Sequence, residues 1–400
     1  MRLYRNLVTA ALPSLVKILH QHQLADKVVQ QLLRSNKKWG SKDRRFLANT
    51  IYEIVRWYRL YYEILGREPQ EDKDWWQLLG IHWILQGETL PEWPEFEGLE
   101  VASIKESYDQ VSQTRAIAHS IPDWLDELGQ EALGAYWEPC LKASNQAAPL
   151  TLRANSLKTT REELIGHLEK KGVATLLVPE LAHALEVPKR QKLTQLPSYE
   201  RGYFEIQDGA SQQVAPYLKV GAGMTVVDAC AGAGGKTLHL AALMQNQGHI
   251  TALDVEKRKL LELQKRAKRA GISILDTQVI KGLETVQSLY NTADRLLLDV
   301  PCSGLGTLRR SPQIKWRLQP DFLHQIQVTQ QEILQHYSPI CKAGGLLVYA
   351  TCSILPTENQ LQVQKFLQSP AGAAFELLQE QQLWPQDGGD GFYMALLQKG

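Results

Sequence analysis

Apolar residues in the first third of the chain recur at three- and four-residue steps, as in Leu15-Val16-x-Ile18-Leu19 and Phe46-Leu47-x-x-Thr50-Ile51-x-x-Ile54-Val55. That period puts them on one helical face, so residues 1 to about 140 are expected to be helical throughout. The basic turn from Arg34 to Arg45 separates two of these helices, with Ser41 or Asp43 able to cap the second. The acidic stretch Glu92-Trp93-Pro94-Glu95-Phe96-Glu97-Gly98 reads as a loop. Between Cys140 and Pro149 the pattern changes. Leu150-Thr151-Leu152-Arg153 reads as a strand, Thr160-Arg161-Glu162-Glu163 has the spacing of a capping box, a helix runs to Lys171 with Gly172 to end it, and Val173 to Val178 reads as a second strand.

From about residue 203, β-prone apolar runs alternate with helical patterns. Strands are expected at Thr225-Val226-Val227, at His249 to Leu253, near Gln278-Val279-Ile280, at Arg295 to Leu298 and at Leu346 to Tyr349. Helices are expected at Lys236 to Met244 and at Glu256 to Ala270, the latter burying Leu260, Leu263 and Ala267 and closing on Gly271. This alternation predicts an α/β, doubly wound parallel sheet. The chain of 400 residues exceeds a single core. The expected division is a helical domain at 1–140, a small β-α-β linking unit at 141–202 and an α/β domain at 203–400.

Composition narrows the partners. Forty-four basic residues stand against forty-three acidic ones, so an anionic partner must be met by local clusters rather than by net charge. Two such clusters are candidates for RNA phosphate: Arg34 to Arg45 continued by Arg56 and Arg59, and the group Arg153, Lys170, Lys171, Lys189, Arg190 and Lys192. The aromatic residues Trp57, Tyr58, Tyr61, Tyr62, Trp75, Trp76 and Trp83 read as core filling rather than base-stacking platforms. Five cysteines, widely spaced and without a Cys-x-x-Cys pair, argue against a disulfide framework and a metal site, and for a reducing, cytoplasmic compartment. The start, Met1-Arg2-Leu3-Tyr4-Arg5, lacks a secretory core, and no stretch has the apolar length of a membrane span.

The chemistry gathers where strands end. Asp228-Ala229-Cys230-Ala231-Gly232-Ala233-Gly234-Gly235-Lys236 is a small-residue turn whose backbone can approach a ligand. Asp254, at the end of the next strand, stands where an acid accepts hydrogen bonds from ribose hydroxyls. A Walker loop is excluded because Cys230 occupies the position of its first glycine. An acid at the first strand's end suits an ammonium better than a pyrophosphate, which points to S-adenosylmethionine. Two further runs, Leu297-Leu298-Asp299-Val300-Pro301-Cys302-Ser303-Gly304 and Leu346-Leu347-Val348-Tyr349-Ala350-Thr351-Cys352-Ser353, stop abruptly with one thiol each. In a parallel sheet their ends would bring Asp299, Cys302 and Cys352 to one crevice.

Six motifs in one order carry a resemblance: Phe204-Glu-Ile-Gln-Asp-Gly-Ala-Ser-Gln212, Asp228 to Thr237, Asp299 to Thr307, Arg309-Arg-Ser-Pro312 with Lys315-Trp316, Tyr349-Ala-Thr-Cys-Ser353, and Asp390-Gly-Phe-Tyr-Met-Ala395. They resemble the RNA 5-methylcytosine methyltransferases of the bacterial RsmB/Sun (Fmu) and eukaryotic Nop2/NSUN group. The helical region, especially Gly40-Ser-Lys-Asp-Arg-Arg-Phe46, is similar to that family's NusB-like domain. The resemblance implies a Rossmann-like, S-adenosylmethionine-dependent methyltransferase domain, an all-α NusB-like amino-terminal domain and an RRM-like linking unit.

It further implies Cys352 as the nucleophile that adds to carbon 6 of cytosine, Cys302 as the group assisting release, and Asp299 as the residue holding the base. DNA cytosine methyltransferases use the Pro-Cys thiol instead, so spacing alone leaves these two roles exchangeable. Cofactor contacts are expected from Asp228, Ala231, Gly232, Ala233, Gly234, Gly235, Lys236, Asp254, Arg258 and Asp299, with no metal. The family's adenine-side aspartate is absent from Lys281-Gly282-Leu283-Glu284, where Glu284 is the one candidate substitute, and Gln313 stands where the family often has an acid. The expected partner is ribosomal RNA of the small subunit, bound by a monomer; transfer RNA, or an assembly factor that binds RNA without methylating it, are the rival readings.

Overall fold

The computed structural model describes residues 4–189 and 191–400. Met1 to Leu3 and Arg190 lie outside the described residues. The chain forms two compact units: Met1–Gln146 with Leu308–Leu318, and Ala147–Thr307 with Gln319–Gly400.

The first unit is helical, and its helices bury the faces that the apolar period marks out. The Arg5–Leu19 helix turns Leu7, Val8, Ala11, Leu12, Leu15, Ile18 and Leu19 inward, one stripe of an amphipathic helix. Tyr58, Tyr61, Trp75, Trp76 and Trp83 are buried in the same core, with Trp57 and Tyr62 packed on it. The Ser41–Arg56 helix has Gly40, not Ser41, at its N-cap position; Asp43 reaches back to accept the Gly40 N–H at 2.9 Å.

Arg56 and Arg59 do not continue a basic surface. They are 5% and 8% exposed, because their multiple donors satisfy carbonyls at helix ends and loops. Arg56 donates to the carbonyls of Ser144 at 3.0 Å and Arg309 at 2.9 Å; Arg59 donates to Ile121 O at 2.8 Å and pairs with Asp123. Arg44 likewise donates to the carbonyls of Trp39 and Asn36, each at 3.0 Å.

The segment Leu308–Leu318 completes this unit. A helix leaves its last carbonyls without partners, and those of Val55 and Arg56 are taken by Trp316 Nε1 at 2.6 Å and Lys315 Nζ at 2.7 Å. Lys315 is fully enclosed, and burial pushes its ammonium well below the usual lysine range. The Lys315-Trp316 pair therefore caps a helix.

In the second unit a small antiparallel sheet has the order β2-β3-β1-β4, from β1 (Thr151–Ala154), β2 (Leu176–Leu177), β3 (Ala184–Glu186) and β4 (Phe204–Ile206). The expected β-α-β unit is thus β1, the Arg161–Glu169 helix and a β2 shorter than anticipated, framed by two further strands. Thr160 Oγ1 accepts from Glu163 N–H at 3.1 Å while the Glu163 carboxylate accepts from Thr160 N–H at 2.9 Å. Thr160→Ala is expected to lower stability by about 1 kcal/mol, read as a lower urea midpoint at unchanged slope. Arg153 does not join a basic platform: it is 3% exposed and donates to Gly235 O at 2.8 Å and to Gln207, and burial pushes its basicity down to about 9. Lys170, Lys171, Lys189 and Lys192 are exposed.

The large sheet contains β5 (Thr225–Asp228), β6 (His249–Asp254), β7 (Leu275–Val279), β8 (Ala293–Asp299), β9 (Cys341–Thr351), β10 (Phe375–Leu383) and β11 (Phe392–Lys399) in the order β10-β11-β9-β8-β5-β6-β7. Neighbours from β9 to β7 are parallel, while β11 and β10 add antiparallel. Side chains alternate across it: Val227, Leu296, Leu298, Leu347 and Tyr349 enter one core layer, and Val226, Leu297, Leu346, Val348 and Ala350 the other. The order reverses between β5 and β8, where ligands of open α/β sheets bind. No helix among the described residues is long and apolar enough to cross a membrane.

Candidate active site

The parallel register sets the site. Asp299, last in β8, pairs with Ala350 of β9, and Val300 adds one more bond to Ala350 O at 3.0 Å. Pro301 has no N–H to extend that ladder, so the chain leaves the sheet there and Cys302 turns towards the end of β9. Its Sγ lies 3.2 Å from Cys352 Sγ. At the adjoining end of β5, Lys236 Nζ donates to Asp299 Oδ2 at 2.7 Å. Burial works against the charge of Lys236, but the Asp299 carboxylate overcomes it and holds the ammonium above its usual range. The hydrogen bond to Cys352, then burial, push the Cys302 thiol well above the ordinary cysteine range, with Glu358 adding to the effect.

Both thiol loops hang on one side chain that the sequence reading did not single out. Glu358 is fully buried. Its Oε2 accepts from Ser303 N–H at 2.7 Å and from Gln330 Nε2 at 3.0 Å, while its Oε1 accepts from the hydroxyls of Ser303 and Ser353, each at 2.5 Å. Gly306 N–H donates to Cys352 O at 2.9 Å and Gly391 N–H to Gly306 O at 2.8 Å. A Cβ on Gly306 would stand 2.0 Å from Gly391 O, so glycine is required for this close approach.

Beside this cluster a cavity of about 550 Å³ opens at the ends of β5, β6 and β8, within the range of small-molecule sites. Ala229, Cys230, Gly232, Asp254, Asp299, Val300 and Pro301 line it. Asp254 is fixed by its own turn: Oδ2 accepts Gly232 N–H at 2.9 Å and Oδ1 accepts Glu256 N–H at 2.7 Å. Gly232 and Gly234 have φ of +56° and +86°, and a Cβ on Gly234 would meet Leu263 Cδ1 at 2.0 Å. Asp228 is buried behind the turn and accepts from Thr237 Oγ1 at 2.6 Å. Burial, with the nearby Asp299 charge, raises its carboxyl to about 7, against the bond from Thr237.

Of the expected cofactor residues, Gly232, Asp254 and Asp299 line the cavity. Ala231 donates its N–H to Leu253 O at 2.9 Å, Ala233 O accepts from Arg266 at 2.7 Å and Gly235 O from Arg153, so these groups hold the turn. Arg258 is exposed and outside the lining; the next residue, Lys259, occupies the rim, paired with Glu256 at 2.6 Å. Glu284 is outside the lining too. That end is formed by Ile280, Gly282 and Leu283, and across from them by Glu332, Ile333, His336 and Tyr337 of the helix before β9, residues that no local motif announces.

Comparison with known proteins decides the family. Residues 215–398 match the family described as 16S rRNA methyltransferase RsmB/F, and residues 121–194 match the Methyltr_RsmF/B-like, ferredoxin-like domain. A probable ribosomal RNA small subunit methyltransferase B from Coxiella burnetii is 31% identical over 94% of this chain and 97% of its own. The chain belongs to the RsmB/F methyltransferase family. The Synechocystis counterpart is 38% identical, although that match spans 66% of this chain and 60% of the relative; the Erwinia tasmaniensis enzyme is 29% identical over the whole of both. Among solved structures, PH0851 superposes over the whole of both chains with a TM-score of 0.84 and 25% identity. A methyltransferase homolog protein from Pyrococcus horikoshii covers 72% of this chain and 98% of its own at 0.64 and 26%. NSun6 from the same organism, crystallised with SFG, shares the fold at 0.64 and 21%, covering 70% of this chain and 98% of its own.

Proposed function

We propose that the chain is an S-adenosylmethionine-dependent RNA cytosine-5 methyltransferase of small-subunit ribosomal RNA, working through a covalent cysteine adduct in the cytoplasm as a monomer. The observation that carries this reading is the meeting of Cys302, Cys352, Asp299 and Lys236 at neighbouring strand ends. The cavity beside them suits the cofactor: Asp254 is pre-oriented for ribose hydroxyls, and Ile280, Leu283 and Tyr337 supply an apolar seat for a ring, while Asp228, 1% exposed and outside the lining, places an acid behind the turn whose field favours an ammonium. When bound, the cofactor supplies an electrophilic methyl group.

Carbon 5 of cytosine is a weak nucleophile, and the protein's task is to activate it. Cys352, its thiol proton first given up to a base, forms a bond from Sγ to carbon 6, and a pair of ring electrons moves towards carbon 5. Asp299 accepts from the cytosine amino edge, and the Lys236 ammonium stands beside it as a proton donor for the ring. After carbon 5 is methylated its proton leaves to a base, the electrons return to the ring and the sulfur–carbon 6 bond breaks. Cys302, held protonated against Cys352, assists that release. The helical unit, NusB-like by resemblance, together with the exposed lysines Lys37, Lys38, Lys42, Lys170 and Lys171, is assigned to RNA positioning.

Incubation with labelled cofactor and unmethylated ribosomal and transfer RNA, followed by mapping of 5-methylcytosine, tests the reading. Transfer to small-subunit RNA supports it, transfer to transfer RNA alone redirects it, and RNA binding without transfer to either replaces it with the assembly-factor reading.

A pH dependence follows from Asp228. Its carboxyl rises from 3.8 to about 7 on folding, so between those values the folded state holds a proton that the unfolded state has lost. Stability contributed at this site therefore falls as pH rises through that window. Ionised Asp228 is the form that attracts an ammonium. Cofactor affinity is expected to fall up to about tenfold per pH unit below about 7, with proton release on binding, and Asp228→Asn should flatten the profile. Titration calorimetry in buffers of different ionisation enthalpy measures both.

A further inference from the structure

A second cavity of about 490 Å³ lies between the loop at residues 180–183, the Gly209–Tyr217 helix and the Gly235–Leu243 helix, and it shares no lining residue with the one at the strand ends. His239 lines it and is 3% exposed, yet neither Nδ1 nor Nε2 has a hydrogen-bond partner. An unpartnered buried polar group costs about 1–3 kcal/mol, and such groups are rare enough to require a reason. Burial, then the charge of Arg153, hold the imidazole well below its usual pKa. It therefore presents one N–H and one lone pair, a neutral donor with an acceptor.

The rest of the lining fits a flat heterocycle with a phosphate attached. His183 is half-buried, its ring centroid 6.4 Å from that of His239 and nearly perpendicular to it. Tyr217 and Gln213 offer an aromatic face and an amide, and Leu181 and Leu243 are apolar walls. Exposed Lys219 and Glu180 stand at the rim. An unstacked base is recognised by donors and acceptors along its edge and by stacking on aromatic rings. His239 and Lys236 lie three residues apart on one helix, about 4.5 Å along its axis.

We infer that this cavity is a second nucleotide site, holding an unstacked base of the RNA against His239 with its phosphate towards Lys219. The inference rests on the RNA-methyltransferase reading for the source of the nucleotide. The test uses the full chain labelled with nitrogen-15 in its histidine rings and titrated with the four ribonucleoside 5′-monophosphates. At least one should shift the His239 and His183 ring signals, and His239→Phe, which keeps an aromatic ring of similar size, should weaken that binding about tenfold or more. Lys219→Ala, a surface change, should weaken the monophosphate but not the free nucleoside. In methyl transfer, His239→Phe should raise KM for RNA about tenfold with kcat unchanged. Ring signals that no nucleotide moves, or a KM that does not change, would mean a hydrated cavity and overturn the inference. If the native chain methylates no RNA, the functional reading fails, while the titration still decides the pocket.

Discussion

Cys352→Ala should abolish both methyl transfer and the covalent RNA adduct, lowering kcat by about 10⁴-fold or more, as removal of an enzymic nucleophile does. Cys302→Ala should behave differently: attack at carbon 6 still occurs, release stalls, and the adduct accumulates. The asymmetry follows from the pair itself. Cys302 is the thiol kept protonated by its bond to Cys352 and by burial, while Cys352 lies close enough to Lys236 to add to the effect of Asp299 in favouring its ammonium. Denaturing gels of the two variants with labelled RNA measure the outcome, and an adduct seen in Cys352→Ala but not in Cys302→Ala would exchange the roles.

Glu358→Ala should cost about 3–5 kcal/mol of stability, since it leaves a main-chain N–H, two hydroxyls and an amide without their acceptor, each worth about 1–3 kcal/mol when buried. The groups stranded are Ser303 N–H, the hydroxyls of Ser303 and Ser353, and Gln330 Nε2. Because those groups flank both thiols, activity should fall beyond what the loss of folded protein explains. Glu358→Gln keeps the volume and one acceptor, so it should lie between the native chain and the alanine variant. Urea denaturation followed by tryptophan fluorescence reads the difference; a change below about 1 kcal/mol in Glu358→Ala would show that the thiol loops are held by other contacts.

Local periodicity made most helices and the strands β5, β6, β8 and β9 legible, because burial on one or two faces writes itself into a short window of residues. The small-residue turn, Asp254 and the two thiols were legible for a related reason, as each sits where an apolar run stops. The polar run Gln379 to Gln382 concealed β10, an edge strand with little to bury. The charges of Arg56, Arg59 and Arg153 read as surface, yet all three are spent on carbonyls and side chains of other elements. A sequence shows that a residue is cationic without showing which distant carbonyl lacks a donor.

The sequence by itself thus determined the α/β order, the glycine turn and the pair of thiols, each set by neighbours a few residues away. Only the tertiary structure decided that Cys302 and Cys352 lie 3.2 Å apart, that Lys236 rather than solvent answers Asp299, that Lys259 and not Arg258 reaches the cavity, and that Lys315 and Trp316 cap a helix more than 250 residues earlier in the chain. Those facts depend on strand register and on carbonyls left open by helix ends, which exist only once the chain has closed on itself.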